Sequence, residues 1–273
     1  MNTTFNCGNF SLPLGKKTYI MGILNVTADS FSDGGKFISI DDALRHAERM
    51  VEDGADIIDI GGESTRPGFI PVGADEETRR VVPVIERLSR SLKAPLSVDT
   101  TKPPVAAAAL EAGAHIVNDI WGFQKEPELA ALSARYGAGV VLMHNSETGV
   151  YSDLMGDIAA FLKTSAGIAL KAGVLSANIC LDPGIGFGKT WQQNLEVMRR
   201  LEELRPLGYS ILMGTSRKST IGKVLDLPVN ERLEGTAATV ALSVAFGADF
   251  VRVHDVKEMK RVAAMADAIV RGI

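Results

Sequence analysis

The sequence predicts an α/β protein, a single-domain (β/α)₈ TIM barrel. Three observations predict it. Short apolar runs alternate eight times with amphipathic helical stretches. The runs are rich in Ile, Val and Leu and lack the polar alternation of a half-exposed sheet, so they read as parallel strands buried on both faces. A chain of 273 residues, 46% hydrophobic, suits one such barrel with a large core. Strict β/α alternation forces parallel strands with right-handed crossovers. An open doubly wound sheet is the rival architecture. Against it, no run reads as an edge strand and no Rossmann fingerprint follows the first strand.

Residues 1–17 read as an N-terminal extension and 18–273 as the barrel. The first strand covers 19–26 and leads through a long polar loop to a helix near 41–53. The second covers 56–60 with a helix near 75–92, and the third 96–99 with a helix near 103–112. The fourth covers 115–120 with a helix near 127–136, and the fifth 140–144 with a long helix near 154–172. The sixth covers 178–182 with a helix near 193–204. The seventh covers 210–214, followed by a short helix from Lys218 and a longer one near 231–246. The eighth covers 250–254, and a helix from Val256 closes the chain. Asp41, Asp75 and Ser216 read as helix N-caps. Gly54, Gly113, Gly173, Gly208 and Gly247 read as helix exits.

The bulk properties exclude several classes. The formal net charge is −4, so no domain-wide basic excess exists to neutralise a phosphate backbone, and nucleic acid is not an expected partner. The N-terminus lacks the basic start and apolar run of a signal peptide. No apolar stretch approaches the ~20 residues of a membrane span. Cys7 and Cys180 match no zinc spacing and nothing favours their pairing, so the chain reads as cytoplasmic.

A barrel carries its active site at the C-terminal ends of its strands, and polar residues gather at the predicted ends. Asn25, Asp59, Asp99, Asn118 with Asp119, His144 with Asn145, and Asp182 end the first six strands. Ser216, Arg217, Lys218 and Ser219 follow the seventh; Arg252, His254 and Asp255 end the eighth. Asp119, Asp255 and Thr100 are equally readable as turn formers. Asp59, Asp99, Asn118 and Asp182 are not, because a carboxylate or amide inside an apolar strand is costly unless satisfied. Together they imply a polar pocket for a small anionic substrate. Arg252 and His254 lie two apart on one strand face and form a natural anion clamp. The segment DPGIGFGKT is not a P-loop, since Pro183 stands where that motif needs glycine. The four histidines share no metal-ligand spacing. The long segment NVTADSFSDGG reads as a lid.

These strand-end segments resemble the dihydropteroate synthase family. The matching motifs are MGILNVTADSFSDGG, DIIDIGGESTRPG, SVDTTKP, AHIVNDI, VLMHN, LDPGIGFGKT, GTSRKSTIG, ERLEGTAAT and FVRVHDV, in family order from about residue 20 to 257. The resemblance implies a homodimeric cytoplasmic transferase of folate biosynthesis, a sulfonamide target. It implies two small-molecule substrates, 6-hydroxymethyl-7,8-dihydropterin diphosphate and p-aminobenzoate, and Mg²⁺ as cofactor. By resemblance, Asp99, Asn118, Asp182 and Lys218 hold the pterin edge, with Asp59 nearby. Arg252 stacks on the pterin and also faces the diphosphate. His254 and Asn25 bind diphosphate, and Asn25 meets Mg²⁺. Asp33 approaches the cationic centre. The loop with Ser64, Thr65, Arg66 and Pro67 closes on p-aminobenzoate, while Phe31, Pro67, Phe187 and Lys218 line that subsite and Ser219 meets its carboxylate. Asp33, Arg66, Lys218, Arg252 and His254 are then the catalytic residues. Ala28 replaces the family's usual proline and should loosen the first loop. The rivals are a methyl-transferring pterin barrel, which needs no diphosphate clamp, and a non-catalytic pterin binder, which would not keep Asn25, Asp33 and Arg66 together.

Overall fold

The computed structural model describes residues 2–26, 40–63 and 72–272. A hairpin of β1 (Thr4–Cys7) and β2 (Phe10–Pro13) precedes a closed barrel of eight strands. The barrel strands are β3 (Tyr19–Asn25), β4 (Ile57–Gly61), β5 (Leu96–Asp99), β6 (Ile116–Asp119), β7 (Gly139–Met143), β8 (Ile179–Asp182), β9 (Ser210–Met213) and β10 (Phe250–Val253). Each pairs in parallel with its neighbour, and β10 closes the ring on β3. The ring leaves no edge, which rules out the open sheet.

The helices are α1 (Ile40–Glu52), α2 (Ala74–Ser91), α3 (Pro103–Glu111), α4 (Glu128–Arg135), α5 (Leu154–Lys171), α6 (Trp191–Arg199), α7 (Ser219–Leu225), α8 (Leu233–Ala245) and α9 (Val256–Arg271). Alternation along each strand makes two cores. Ile20, Leu24, Ile58, Ile60, Leu96 and Val98 face the helices. Each such side chain contributes about 1.5–3 kcal/mol when fully buried. Tyr19, Met21, Ile57, Ile116, Val141, Leu212 and Phe250 face inward. Phe5 and Cys7 of the hairpin pack into this inner cluster, and the Phe5 and Phe250 rings meet edge to face, 5.2 Å apart. The hairpin therefore floors the barrel at the N-terminal ends of its strands. Only the opposite mouth is left for a site.

Three expected N-caps differ. Asp41 and Asp75 lie inside the first turns of α1 and α2, where carboxylates favour the helix dipole instead. Ser216 is not the cap of α7; Lys218 holds that position, and Ser216 bonds elsewhere. Among the described residues, Thr190 forms a side-chain cap, a capping box with Gln193. The glycine exits hold. Gly54 and Gly113 end α1 and α3 at φ of +106° and +109°, which a Cβ would resist.

Candidate active site

Strand register places the site residues on one rim. Asn25 lies opposite Gly61, Gly61 opposite Asp99, and Asp99 opposite Asn118. Asp59 sits two residues deeper on β4, opposite Ser97. A Cβ on Gly61 would lie 3.7 Å from Asp99 Cβ and 3.8 Å from Asn25 Oδ1. On the far wall, a Cβ on Gly214 would lie 4.0 Å from both Arg252 Cβ and Asp182 Oδ2. Two inward glycines thus keep space open between the polar side chains.

Arg252 crosses that space. Its Nε donates to Asp59 Oδ2 at 2.6 Å and its Nη2 to Asp99 Oδ2 at 2.7 Å. Asn118 Nδ2 donates to Asp59 Oδ2 at 3.1 Å. Burial pushes the Asp99 carboxyl up to about 7; Arg252 opposes this and the Asp59 charge adds to it. One guanidinium thus serves two buried carboxylates. The Arg252 guanidinium is itself held above its ordinary value by the two carboxylates, against its burial. Asp182 is buried, accepts the Gly184 N–H at 2.7 Å and is also pushed up by burial, with Lys218 among the groups opposing.

The turn after β8 fixes Phe187. Gly184 has φ of +72°, and a Cβ there would sit 1.9 Å from the His144 carbonyl oxygen. Lys189 lies beneath the turn, where its ammonium donates to Gly184 O at 3.0 Å, Phe187 O at 3.1 Å and His144 Nδ1 at 2.8 Å. Burial pushes Lys189 down to about 7, and burial with Lys189 nearby pushes His144 down to about 3. His144 is therefore a neutral acceptor. Lys218 Nζ stands 4.3 Å above the Phe187 ring centroid. Ser216 Oγ lies 3.0 Å from His254 Nδ1 and accepts the His254 backbone N–H at 3.2 Å.

The structure thus gathers Asn25, Asp59, Asp99, Asn118, Asp182, Phe187, Lys218, Ser219, Arg252 and His254 at the C-terminal mouth. Phe31, Asp33, Thr65, Arg66 and Pro67, with Ala28 and Ser64, lie outside the described residues. The expected Arg252–His254 pair divides its work: Arg252 turns to carboxylates and His254 to Ser216. Asp119 and Thr100 are turn formers. Asp119 accepts the N–H groups of Trp121 and Phe123, and Thr100 Oγ1 that of Lys102. Sequence reasoning missed Lys189, whose signal lay in the GKT rejected as a P-loop. It also missed the ion pair of Arg217 with Asp255. A groove of about 720 Å³ lies beside the mouth, lined by Glu63, Lys102, Trp121 and Lys125 among others. Its lysines bind carboxylates already, Lys102 on Glu63 and Glu77 and Lys125 on Glu147, so we place the chemistry in the barrel.

A barrel with carboxylates, an amide and cations converging on its mouth is built to hold a polar heterocycle, and residues 21–254 match the family described as pterin binding enzyme. The chain is 55% identical over 265 residues to dihydropteroate synthase of Clostridium beijerinckii, covering 97% of this chain and 98% of that one. It is 56% identical over 259 residues to that of Bacillus subtilis, covering 95% and 91%. A crystal structure of dihydropteroate synthase from Clostridium difficile in the presence of pteroic acid superposes with a TM-score of 0.92 at 55% identity, covering 94% of this chain and 98% of that chain. One from Xanthomonas albilineans with 4-aminobenzoic acid gives 0.93 at 39% identity, covering 98% of each. This chain belongs to the dihydropteroate synthase family of transferases.

Proposed function

We propose that the protein joins 6-hydroxymethyl-7,8-dihydropterin diphosphate to p-aminobenzoate, releasing diphosphate and 7,8-dihydropteroate. The observation that supports this best is the cluster of Asp59, Asp99, Asn118, Asp182 and Arg252 in one barrel mouth. A pterin edge carries N–H donors beside ring nitrogens and a carbonyl. Carboxylates accept from the donors, while Asn118 and Lys218 donate to the acceptors. Asp59 Oδ1 is buried and has no hydrogen-bond partner among the described residues, an acceptor of the kind such an edge satisfies.

Pterin N–H groups compete with Arg252 for Asp99, and the displaced guanidinium can then lie on the pterin face and meet the diphosphate. The methylene C–O bond breaks with its electron pair passing to diphosphate, stabilised by Arg252 and His254. The electron-rich pterin spreads the cation. The aryl amine then forms the C–N bond and releases its proton to water, so no strong protein base is required. Lys218, Phe187 and Ser219 hold p-aminobenzoate, together with Phe31, Thr65, Arg66 and Pro67, and Asp33 faces the cationic centre.

Mg²⁺ fits the donor set. Asn25 offers one amide oxygen beside the bare Gly61, and Mg²⁺ favours one or two protein oxygens with waters and substrate phosphates. When bound, it would neutralise charge on the leaving diphosphate. We propose a homodimer through the α7–α9 flank, where Leu225, Leu242, Met265 and Ile269 are exposed. We also propose a cytoplasmic location, in keeping with the free cysteines Cys7 and Cys180. No described helix is long and apolar enough to cross a membrane.

The deciding experiment mixes purified protein, Mg²⁺ and both substrates, with p-aminobenzoate omitted as control. Equal amounts of diphosphate and 7,8-dihydropteroate are expected. Formation of neither would overturn the reading.

A further inference from the structure

We infer that Arg217 and Asp255 are a positioning pair that ties the loop carrying Lys218 to the strand end carrying His254. The inference rests on the proposed roles of those two residues. Arg217 lies between Ser216, which bonds His254, and Lys218. It has φ of +56°, a left-handed backbone that residues with a Cβ resist. Such outliers persist where surrounding bonds over-determine them, and they cluster at functional sites.

Both the backbone and the side chain of Arg217 are engaged. Its N–H donates to Thr236 Oγ1 at 3.1 Å, and its carbonyl accepts Arg232 Nη1 at 3.1 Å. Its guanidinium grips Asp255 with both Nε, at 2.9 Å, and Nη2. Arg232 also reaches Lys218 O at 3.4 Å. Asp255 stands at the N-cap position of α9 and makes no side-chain cap bond there; its carboxylate accepts from Arg217 instead. Arg217 is 39% exposed, and an ion pair that exposed adds little to stability. What the pair does fix is geometry: adjacent residues of one loop are fastened to adjacent residues of one strand end, Ser216 to His254 and Arg217 to Asp255. Without the ion pair, the loop keeps its backbone bonds to Thr236 and Arg232, but Ser216 and Lys218 are held less firmly against their partners. The pterin carboxylates and amide on β4, β5, β6 and β8 would stay in place, so of the pterin contacts only that of Lys218 would weaken.

The test uses Arg217→Met, Arg217→Lys and Asp255→Asn in the full chain. Calorimetry measures inorganic diphosphate with Mg²⁺, and separately bare 6-hydroxymethylpterin; steady-state kinetics gives the KM for p-aminobenzoate. Arg217→Met should weaken diphosphate and raise that KM each about tenfold, with a smaller loss of pterin affinity, no more than threefold, because Asp99, Asn118 and Asp182 still hold the pterin when Lys218 loosens. Arg217→Lys, which keeps charge without the fork, should fall between. Combining Arg217→Met with Asp255→Asn should add nothing further, since either change opens the same tie. Wild-type constants in Arg217→Met, or equal losses for all three ligands, would overturn the inference. If Arg217→Met fails to fold, Arg217→Lys with unaltered constants overturns it as well. An unaltered protein that binds no diphosphate would sink the underlying reading, and the tie with it.

Discussion

Asp99 joins the electrostatics of the site to pH. Burial holds its carboxyl at about 7, above the ordinary aspartate value of about 3.8. The neutral acid is thus favoured by the fold. That stabilising contribution is full below about 3.8 and is lost as pH rises through about 7. Pterin binding has the opposite demand, because two N–H donors need an ionised acceptor. Affinity for bare pterin should therefore rise by up to about tenfold per pH unit below 7 and level off above it. Asp99→Asn should bind weakly at every pH; a slope unchanged by that substitution in calorimetry from pH 5.5 to 8.5 would refute the assignment. Lys189 acts on stability instead. Its ammonium satisfies two carbonyls and His144 Nδ1. Lys189→Met leaves those acceptors without it, at about 1–3 kcal/mol for a buried unsatisfied group. Thermal unfolding should show a midpoint lower by several degrees; a loss below about 0.5 kcal/mol would show that the turn is held by its other bonds.

Elements differ in how plainly the chain announces them. The barrel strands are readable because each is an unbroken apolar run between turn residues, and IIDIG and LSVD betray a buried carboxylate that packing alone does not explain. The hairpin is not readable. Its strands have four residues each, with Asn6 and Ser11 mixed among Phe5, Cys7 and Leu12, so periodicity over so short a span decides nothing. Its role comes from long-range packing of Phe5 on Phe250. Truncating Phe5 to alanine removes a fully buried ring from the barrel floor, a change that costs about 3–5 kcal/mol. Urea unfolding should show that loss, while the KM for p-aminobenzoate stays near the wild-type value, because the floor and the mouth lie at opposite ends. A shifted KM with unchanged stability would contradict this division.

At the scale of the molecule, the site exists only when the ring is closed. Arg252 reaches Asp59 and Asp99 across separations of 193 and 153 residues. The sequence shows which polar residues end the strands; it does not show that Arg252 lies on carboxylates, since that follows from which walls face each other across the barrel. The same closure links ligand to fold. No short piece of the chain can assemble Asp59, Asp99, Asn118 and Asp182, so the unfolded chain has no pterin site, and binding stabilises the native state by mass action. At a bare pterin concentration a hundred times its Kd, the gain is about 2.7 kcal/mol, a rise in thermal midpoint of roughly 5–10 °C for a chain of this size. Scanning calorimetry should show that rise growing with the logarithm of ligand concentration, and Asp99→Ala should abolish it. A rise of equal size in Asp99→Ala would mean that the pterin binds elsewhere than the barrel mouth.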